Sequence, residues 1–399
     1  MEDFASFLKE LPGERIRFAD RPWPALCEFL AEEPVGPVAV FTGKHSLDAS
    51  GRWRELEEAL AASGRPVRRF REIDSEPDSV TVEAMLAFLR QERPGAVVAI
   101  GGGSVMDAAK AAFLVFQTGC PLAEHYGVDV WSGLHPGEEL RRVIAVPTTS
   151  GTGSEATPYA NIVERSLGVK KLISERQTIP RFAVVSPELA GSMPPSVTRA
   201  TGCDALAHLI EGFLNVGADR NCPDANRWAL TGIRLVREHL EEAVSAGSAA
   251  ARRAMAQAAV LGGMVIRFKS TGLPHLCSFS WFGRLEHGLA VALLLPECWR
   301  YYLGNPAVAE RTMELSGIFP GTTPDTVIDS FWRFLDRVGV ARSLGDYPGI
   351  TPELLAATAA GAAENRMKLE LAPRPVPVER AETILSEILR RASEAPPRV

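Results

Sequence analysis

AVVAIGGGSVMDAAK, residues 96–110, carries an uninterrupted apolar run into three glycines and then into a helical pattern. Five residues of Ala, Val and Ile with no polar position suit a strand buried on both faces, as in a parallel sheet covered by helices. Gly101, Gly102, Gly103 and Ser104 fall in the turn between that strand and a helix expected from about Val105. Glycines at such a turn let successive backbone N–H groups approach a phosphate, and the positive end of the helix adds to the attraction. The spacing is not the GxGxxG dinucleotide fingerprint, because Met106 stands where its last glycine belongs. Taken alone, the stretch also fits a tight strand-to-helix turn that holds no ligand.

Outward from this turn the pattern repeats. Val38–Thr42 (VAVFT) reads as a buried strand, Trp53–Ala62 as an amphipathic helix, Val67–Ile73 as a strand and Val80–Gln91 as a helix, so that with Ala96–Ile100 they build a βαβαβ unit. Val143–Val146 and Ala183–Val185 add apolar strands, and Tyr159–Val163 alternates like a strand near an edge. After Ser186-Pro187 the β-branched runs stop, and Ala, Leu, Glu and Arg at helical spacing continue to about Arg391. The reading is an α/β nucleotide-binding domain over residues 1–187 and an all-helical domain over 188–399, with Glu394–Val399 as a frayed tail.

At 399 residues the chain can bury two cores, and 46% hydrophobic with 23% charged residues is a globular composition. The net charge of −6 is not gathered in blocks, which gives no footprint for nucleic acid or an anionic membrane. Met1–Arg15 lacks the basic and then apolar regions of a secretory signal, and no apolar run approaches the roughly 18 residues of a membrane span, so a cytoplasmic protein is expected. Cys27, Cys120, Cys203, Cys222, Cys277 and Cys298 form no CxxC pair, which argues against a zinc ribbon or redox dithiol and for buried free thiols.

Two further segments carry chemistry. Pro147–Glu155 (PTTSGTGSE) follows an apolar strand and offers many small hydroxyl donors at the carboxyl end of the sheet, where open α/β folds bind ligands, although a plain surface loop has the same composition. In the helical half, Asp204 and His208 are four residues apart and share a helix face, where a carboxylate and an imidazole can hold one divalent metal. His275 and His287 bracket the aromatics Phe279, Trp281 and Phe282. A single histidine is ordinarily a satisfied core or surface side chain, and His125, His135 and His239 are read as surface.

GGGSVMDAAK at 101–110, PTTSGTGSEATPYA at 147–160, CDALAHLIE at 203–211, EHGLAVALLLP at 286–296 and APRPVPVERAETIL at 372–385 resemble, in order, the successive signatures of the iron-containing (group III) alcohol dehydrogenases. The resemblance implies a Rossmann-like N-terminal domain and an all-α C-terminal domain, the architecture shared with dehydroquinate synthase. It implies a metal, Fe2+ or Zn2+, on Asp204, His208, His275 and His287, and hydride transfer between NAD(P)H and a small aldehyde/alcohol pair. It gives Gly101, Gly102, Gly103 and Ser104 to the pyrophosphate, and Asp107, Thr148, Thr149, Ser154 and Lys170 to the rest of the cofactor. A homodimer is the common assembly of that family. Two features depart from it. His275 and His287 are only twelve residues apart, closer than is usual, and Phe279 stands where a proton-relaying histidine is common.

NAD-selective members tend to have an aspartate where Gly43 stands, and Gly43-Lys44 therefore predicts NADP(H) over NAD(H). Arg267 and Lys269, just before His275, suggest an anionic aldehyde such as phosphonoacetaldehyde. The competing readings are a metal-free enzyme of the maleylacetate reductase type, which needs no Asp-His-His-His set, and a non-catalytic nucleotide-binding protein.

Overall fold

Strands β2 (Val38–Gly43), β4 (Ala96–Gly101), β6 (Ile144–Pro147) and β9 (Phe182–Val185) are buried almost throughout, as their apolar runs require. With β1 (Arg15–Phe18) and β3 (Val67–Ile73) they form a six-stranded sheet in the order β1-β9-β6-β4-β2-β3, parallel at every pairing. Alternation along the strands divides its two faces. Ala39, Phe41, Val97 and Ala99 pack with Met85, Leu86, Ala112 and Phe113 in one core, while Val38, Val40, Val98 and Ile100 pack with Leu26, Phe29, Leu56 and Leu60 in the other. The first core is roofed by helices α1 (Ser79–Glu92) and α2 (Gly103–Thr118).

This computed structural model describes residues 15–61 and 64–394. The expectations of a missing signal before Arg15, of a helix reaching Ala62 and of a frayed tail beyond Glu394 fall on residues outside these. Tyr159–Val163, expected as a strand near an edge, is the edge strand of a second, three-stranded sheet. There β7 (Tyr159–Glu164) runs antiparallel to β8 (Val169–Ser174), and β8 pairs in parallel with the short β5 (Gly127–Val128). β7 meets the first core through the buried Ala160 and Ile162.

The chain divides into two compact units between Met193 and Pro194. The second is helical, with α3 (Pro195–Leu214), α4 (Ala225–Ser245), α5 (Ala249–Lys269), α6 (Leu273–Ser278), α7 (His287–Tyr302) and further helices through Ala381–Ser393. From Gly202 to Leu214 every residue of α3 is buried, so it is a central helix rather than an amphipathic surface one. No helix among the described residues is long and apolar enough to cross a membrane. All six cysteines are free, and Cys203, Cys277 and Cys298 are buried as expected, whereas Cys27, Cys120 and Cys222 are partly exposed.

Candidate active site

Asp204, His208 and Glu211 lie at helical spacing on α3, and around Asp204 the helical unit gathers the imidazoles of three elements. The Oδ1 atom of Asp204 lies 3.5 Å from Nε2 of His275 and 3.7 Å from Nε2 of both His208 and His287. The ligand atoms of Asp204, His275 and His287 all fall within 4.8 Å of one another. Atoms bound to one cation at ~2.1 Å in tetrahedral array are ~3.4 Å apart, so this spacing suits a shared ion. The donor chemistry agrees. Oδ1 of Asp204 and Nε2 of His275 are buried with no hydrogen-bond partner, a costly state for two polar atoms unless something else binds them.

The surroundings decide which atoms face inward. His275 Nδ1 is 2.5 Å from Oε1 of the buried Glu211, whose other oxygen accepts the Gly272 N–H at 2.6 Å. The Leu273 N–H donates to Tyr302 Oη at 2.9 Å, so the start of the short α6 is anchored by two buried side chains. With Nδ1 donating to Glu211, His275 turns the lone pair of Nε2 toward Asp204. Ser278 Oγ donates to the His275 carbonyl at 2.9 Å and lies 3.2 Å from His287 Nδ1, which orients that ring in the same sense. Helix α7 brings His287 to Asp204 through Gly288, where a Cβ would lie 1.8 Å from the Ala200 carbonyl oxygen on α3; no other residue fits that crossing.

The electrostatics follow from two buried carboxylates facing imidazoles. Burial opposes ionisation of Asp204, but His208, His275 and His287 outweigh it and hold the carboxyl well below its usual range. Burial alone would depress His275, yet Glu211 and Asp204 push it up to about 9. The cluster thus attracts one positive charge at its centre, and a divalent cation fits it.

In the first unit the two glycine motifs form one structure. The Thr148 N–H donates to the Gly101 carbonyl at 2.9 Å, and a Cβ on Gly102 or Gly103 would come within 3.1 Å of Thr149 Oγ1 or 2.6 Å of Thr152 Cγ2. The glycines therefore allow the hydroxyl-rich loop to lie against the N-terminus of α2, with Thr148 and Thr149 half-buried beside it. Gly102 caps α2 without a side chain, leaving the first backbone donors of a 16-residue helix to a ligand.

Other residues assigned to the cofactor from sequence bond protein partners. Asp107 accepts from Ser154 Oγ at 2.7 Å and from the Asn161 N–H at 2.9 Å. The buried Lys110, missed in sequence, reaches the Ser154 carbonyl at 2.6 Å, the Thr157 carbonyl at 2.9 Å and the Tyr159 carbonyl at 3.0 Å. Asp107, Lys110 and Ser154 thus hold the loop from behind. Ser104 donates to the Ser75 carbonyl, Lys44 bonds Asp74 at 2.8 Å, and Lys170 bonds Glu76 at 2.8 Å.

Two expectations are corrected. Lys269 does not face a substrate: it is buried and bonds Asp219 at 2.6 Å and Asn226 at 2.5 Å, as an ammonium in the interior must find acceptors. Arg267 lies with its guanidinium 5.2 Å from the centroid of the Phe268 ring. His125 is not a surface residue, being buried with its ring 2.9 Å from Thr118 Oγ1, whereas His135 is partly exposed and stacks on Trp131, and His239 is half-buried.

Residues 13–187 match the model of the iron-containing alcohol dehydrogenases, and residues 198–389 match that of the C-terminal part of the same family. The chain belongs to the iron-containing alcohol dehydrogenase family. The 1-propanol dehydrogenase PduQ of Salmonella typhimurium is 31% identical over 352 residues, covering 84% of this chain and 88% of its own. The NAD-dependent methanol dehydrogenase of Bacillus methanolicus is 30% identical over 303 residues, 74% of this chain and 77% of its own. Among solved structures, the sulfoacetaldehyde reductase from Bifidobacterium kashiwanohense in complex with NAD+ superposes with a TM-score of 0.78 at 28% identity, over 94% of this chain and 97% of that one. As a member of this family the chain is an oxidoreductase of alcohols and aldehydes, with a divalent metal and a nicotinamide cofactor implied.

Proposed function

We propose that this family member is a metal-dependent reductase of small aldehydes that draws hydride from NADPH in preference to NADH. The observation that carries the metal dependence is the Asp204 carboxylate with three imidazole Nε2 atoms 3.5 to 3.7 Å from its Oδ1. Asp204, His208, His275 and His287 would hold the ion, which supplies Lewis-acid polarisation of the substrate oxygen. Glu211 and Ser278 orient two of the rings, and Gly101, Gly102 and Gly103 leave room for the cofactor pyrophosphate. When bound, the reduced nicotinamide would supply hydride to the carbonyl carbon; Phe279 has no proton to give the product oxygen, so that proton would come from water or the cofactor ribose.

The argument for an anionic substrate loses its basis with Lys269 in an internal ion pair. Similarity to a sulfoacetaldehyde reductase is the reason that remains for including acidic aldehydes, phosphonoacetaldehyde among them, beside propanal. A metal-free maleylacetate-type enzyme has no use for this ligand set.

The test is chelation to the metal-free protein and add-back of Fe2+ or Zn2+ without oxygen, following loss of reduced-cofactor absorbance, with Asp204→Ala in parallel. Metal should restore turnover in the wild type and not in the variant, and Phe279→Leu should leave the rate within about threefold. Full turnover by metal-free protein overturns the metal dependence, a large loss in Phe279→Leu assigns that ring a packing or substrate contact, and a wild-type preference for NADH overturns the cofactor choice.

A further inference from the structure

Three side chains read from sequence as cofactor contacts grip three consecutive residues of one loop. Lys44 bonds Asp74, Ser104 bonds the carbonyl of Ser75, and Lys170 bonds Glu76. This loop directly follows β3, and its position is fixed by the sheet. β4, which leads into the phosphate turn, pairs with β2 at Thr42↔Ile100, and β2 pairs with β3 at Gly43↔Ile73. In doubly wound folds the carboxylate that takes the ribose hydroxyls stands at the end of the strand beside the phosphate turn. Here that strand ends in Gly43-Lys44, without an acid. A carboxylate, Asp74, stands just past the end of the next strand along.

The local geometry suits that exchange of roles. A Cβ on Gly43 would meet nothing nearer than the Ile73 carbonyl oxygen at 3.8 Å, so there is space above the end of β2. The Asp74 side chain is 61% exposed and that of Lys44 34%, and both are open to a ligand arriving from solvent. A ribose with a free 2′-hydroxyl can donate to Asp74 while Lys44 stays paired. A 2′-phosphate must instead take Lys44 from Asp74 and lie beside a carboxylate left without its partner.

We propose that Asp74 sets the balance between NADP(H) and NAD(H), both by its own contact with the ribose and by its hold on Lys44. This rests on the reading that the glycine turn binds a nicotinamide dinucleotide. Asp74 accepts from the unmodified ribose and restrains the preference for NADPH that Gly43 and Lys44 create.

The test is the dissociation constant of NADH and of NADPH, from fluorescence titration of the full-length protein at fixed ionic strength, for wild type, Asp74→Asn, Glu72→Gln, and Asp74→Asn combined with Lys44→Gln. Asp74→Asn should tighten NADPH and loosen NADH, moving the ratio of the two constants about tenfold, as loss of one charged contact implies. Glu72→Gln removes a neighbouring charge that does not bond Lys44 and should move the ratio less than about twofold. The double variant should lose the gain in NADPH binding. A ratio in Asp74→Asn within twofold of wild type while both cofactors bind overturns the role of Asp74, as does an equal shift in Glu72→Gln. Failure of wild type to bind either cofactor overturns the dehydrogenase reading and this inference with it.

Discussion

Glu211→Gln removes one charge from the carboxylate behind the metal ligands and changes little in volume, so its effect can be worked from the hydrogen bonds. In the native protein one carboxylate oxygen accepts His275 Nδ1–H at 2.5 Å and the other accepts the Gly272 N–H at 2.6 Å. A glutamine has one oxygen for these two donors. If it stays with Gly272, the amide NH2 faces His275 Nδ1 and the ring must carry its proton on Nε2, the atom aimed at Asp204; if it turns to His275, two N–H donors meet at Gly272 in a buried site. The first arrangement blocks a ligand and the second weakens the anchor of α6. Loss of such an outer partner typically costs 10–100-fold in metal affinity, about 1.4 to 2.7 kcal/mol. Competition titration of Zn2+ or Co2+ against a chromophoric chelator measures the affinity, and the Co2+ visible spectrum reports the ligand field independently of turnover. Urea unfolding of the metal-free variant separates lost affinity from lost folding. Metal affinity within twofold of wild type with an unchanged Co2+ spectrum would refute the positioning role.

Two other predictions follow from packing and burial. Gly288→Ala should unfold α7 from α3 and abolish metal binding, because its Cβ would lie 1.8 Å from the Ala200 carbonyl oxygen, whereas Gly361→Ala, with nothing within 4 Å, should be neutral or stabilise by up to about 1 kcal/mol; equal melting temperatures for the two variants would contradict the crossing. The buried Glu155 carboxyl is pushed up to about 7 from 4.5, chiefly by burial. In the folded chain it keeps its proton while the unfolded chain loses it, so its contribution to stability falls as pH rises from about 4.5 to 7 and then levels. Glu155→Gln should remove that slope and be more stable than wild type above pH 7 by on the order of 3 kcal/mol relative to their difference at pH 4.5. Urea unfolding of both at pH 4.5 and pH 8 checks it, and a difference independent of pH would refute the assignment.

The central strands were legible because burial on both faces leaves an unmistakable apolar run, as in VAVFT and AVVAI. β1 (RIRF) and β8 (VKKLIS) were not, since each carries charges on a strand with only part of its surface covered. Tyr159–Val163 was legible as a strand near an edge but not as part of a second sheet, because periodicity reports which faces are buried and not which strand is the neighbour. The same limit applies to the site. Asp204 and His208 could be paired from their spacing, while His275 and His287 were candidates by residue type that only the resemblance joined to that pair. Glu211 falls on the same helical face, three residues after His208, so its position was readable; its meaning was not, since a glutamate on a helix is ordinarily solvated. Lys44, Lys170 and Lys269 were read as available cations because their partners, Asp74, Glu76 and Asp219, are distant in sequence.

What joins these observations is a local departure from the rules that serve stability elsewhere in the helical unit. Two carboxylates, Asp204 and Glu211, are buried at opposite nitrogens of His275, and two polar atoms there have no hydrogen-bond partner. The backbone leading into α6 passes through Ser270 at φ +60°, a strained region for a residue other than glycine. That conformation is held by Lys368, buried with its ammonium 3.0 Å from Ser270 Oγ and 2.8 Å from the Thr271 carbonyl. Each feature is costly in isolation, and such coincidences mark places where sequence serves function. Charge explains why they coincide. Both carboxylates face His275, and together they push that ring up to about 9 against its burial. A cation held by Asp204 and His275 would take the place such a proton occupies.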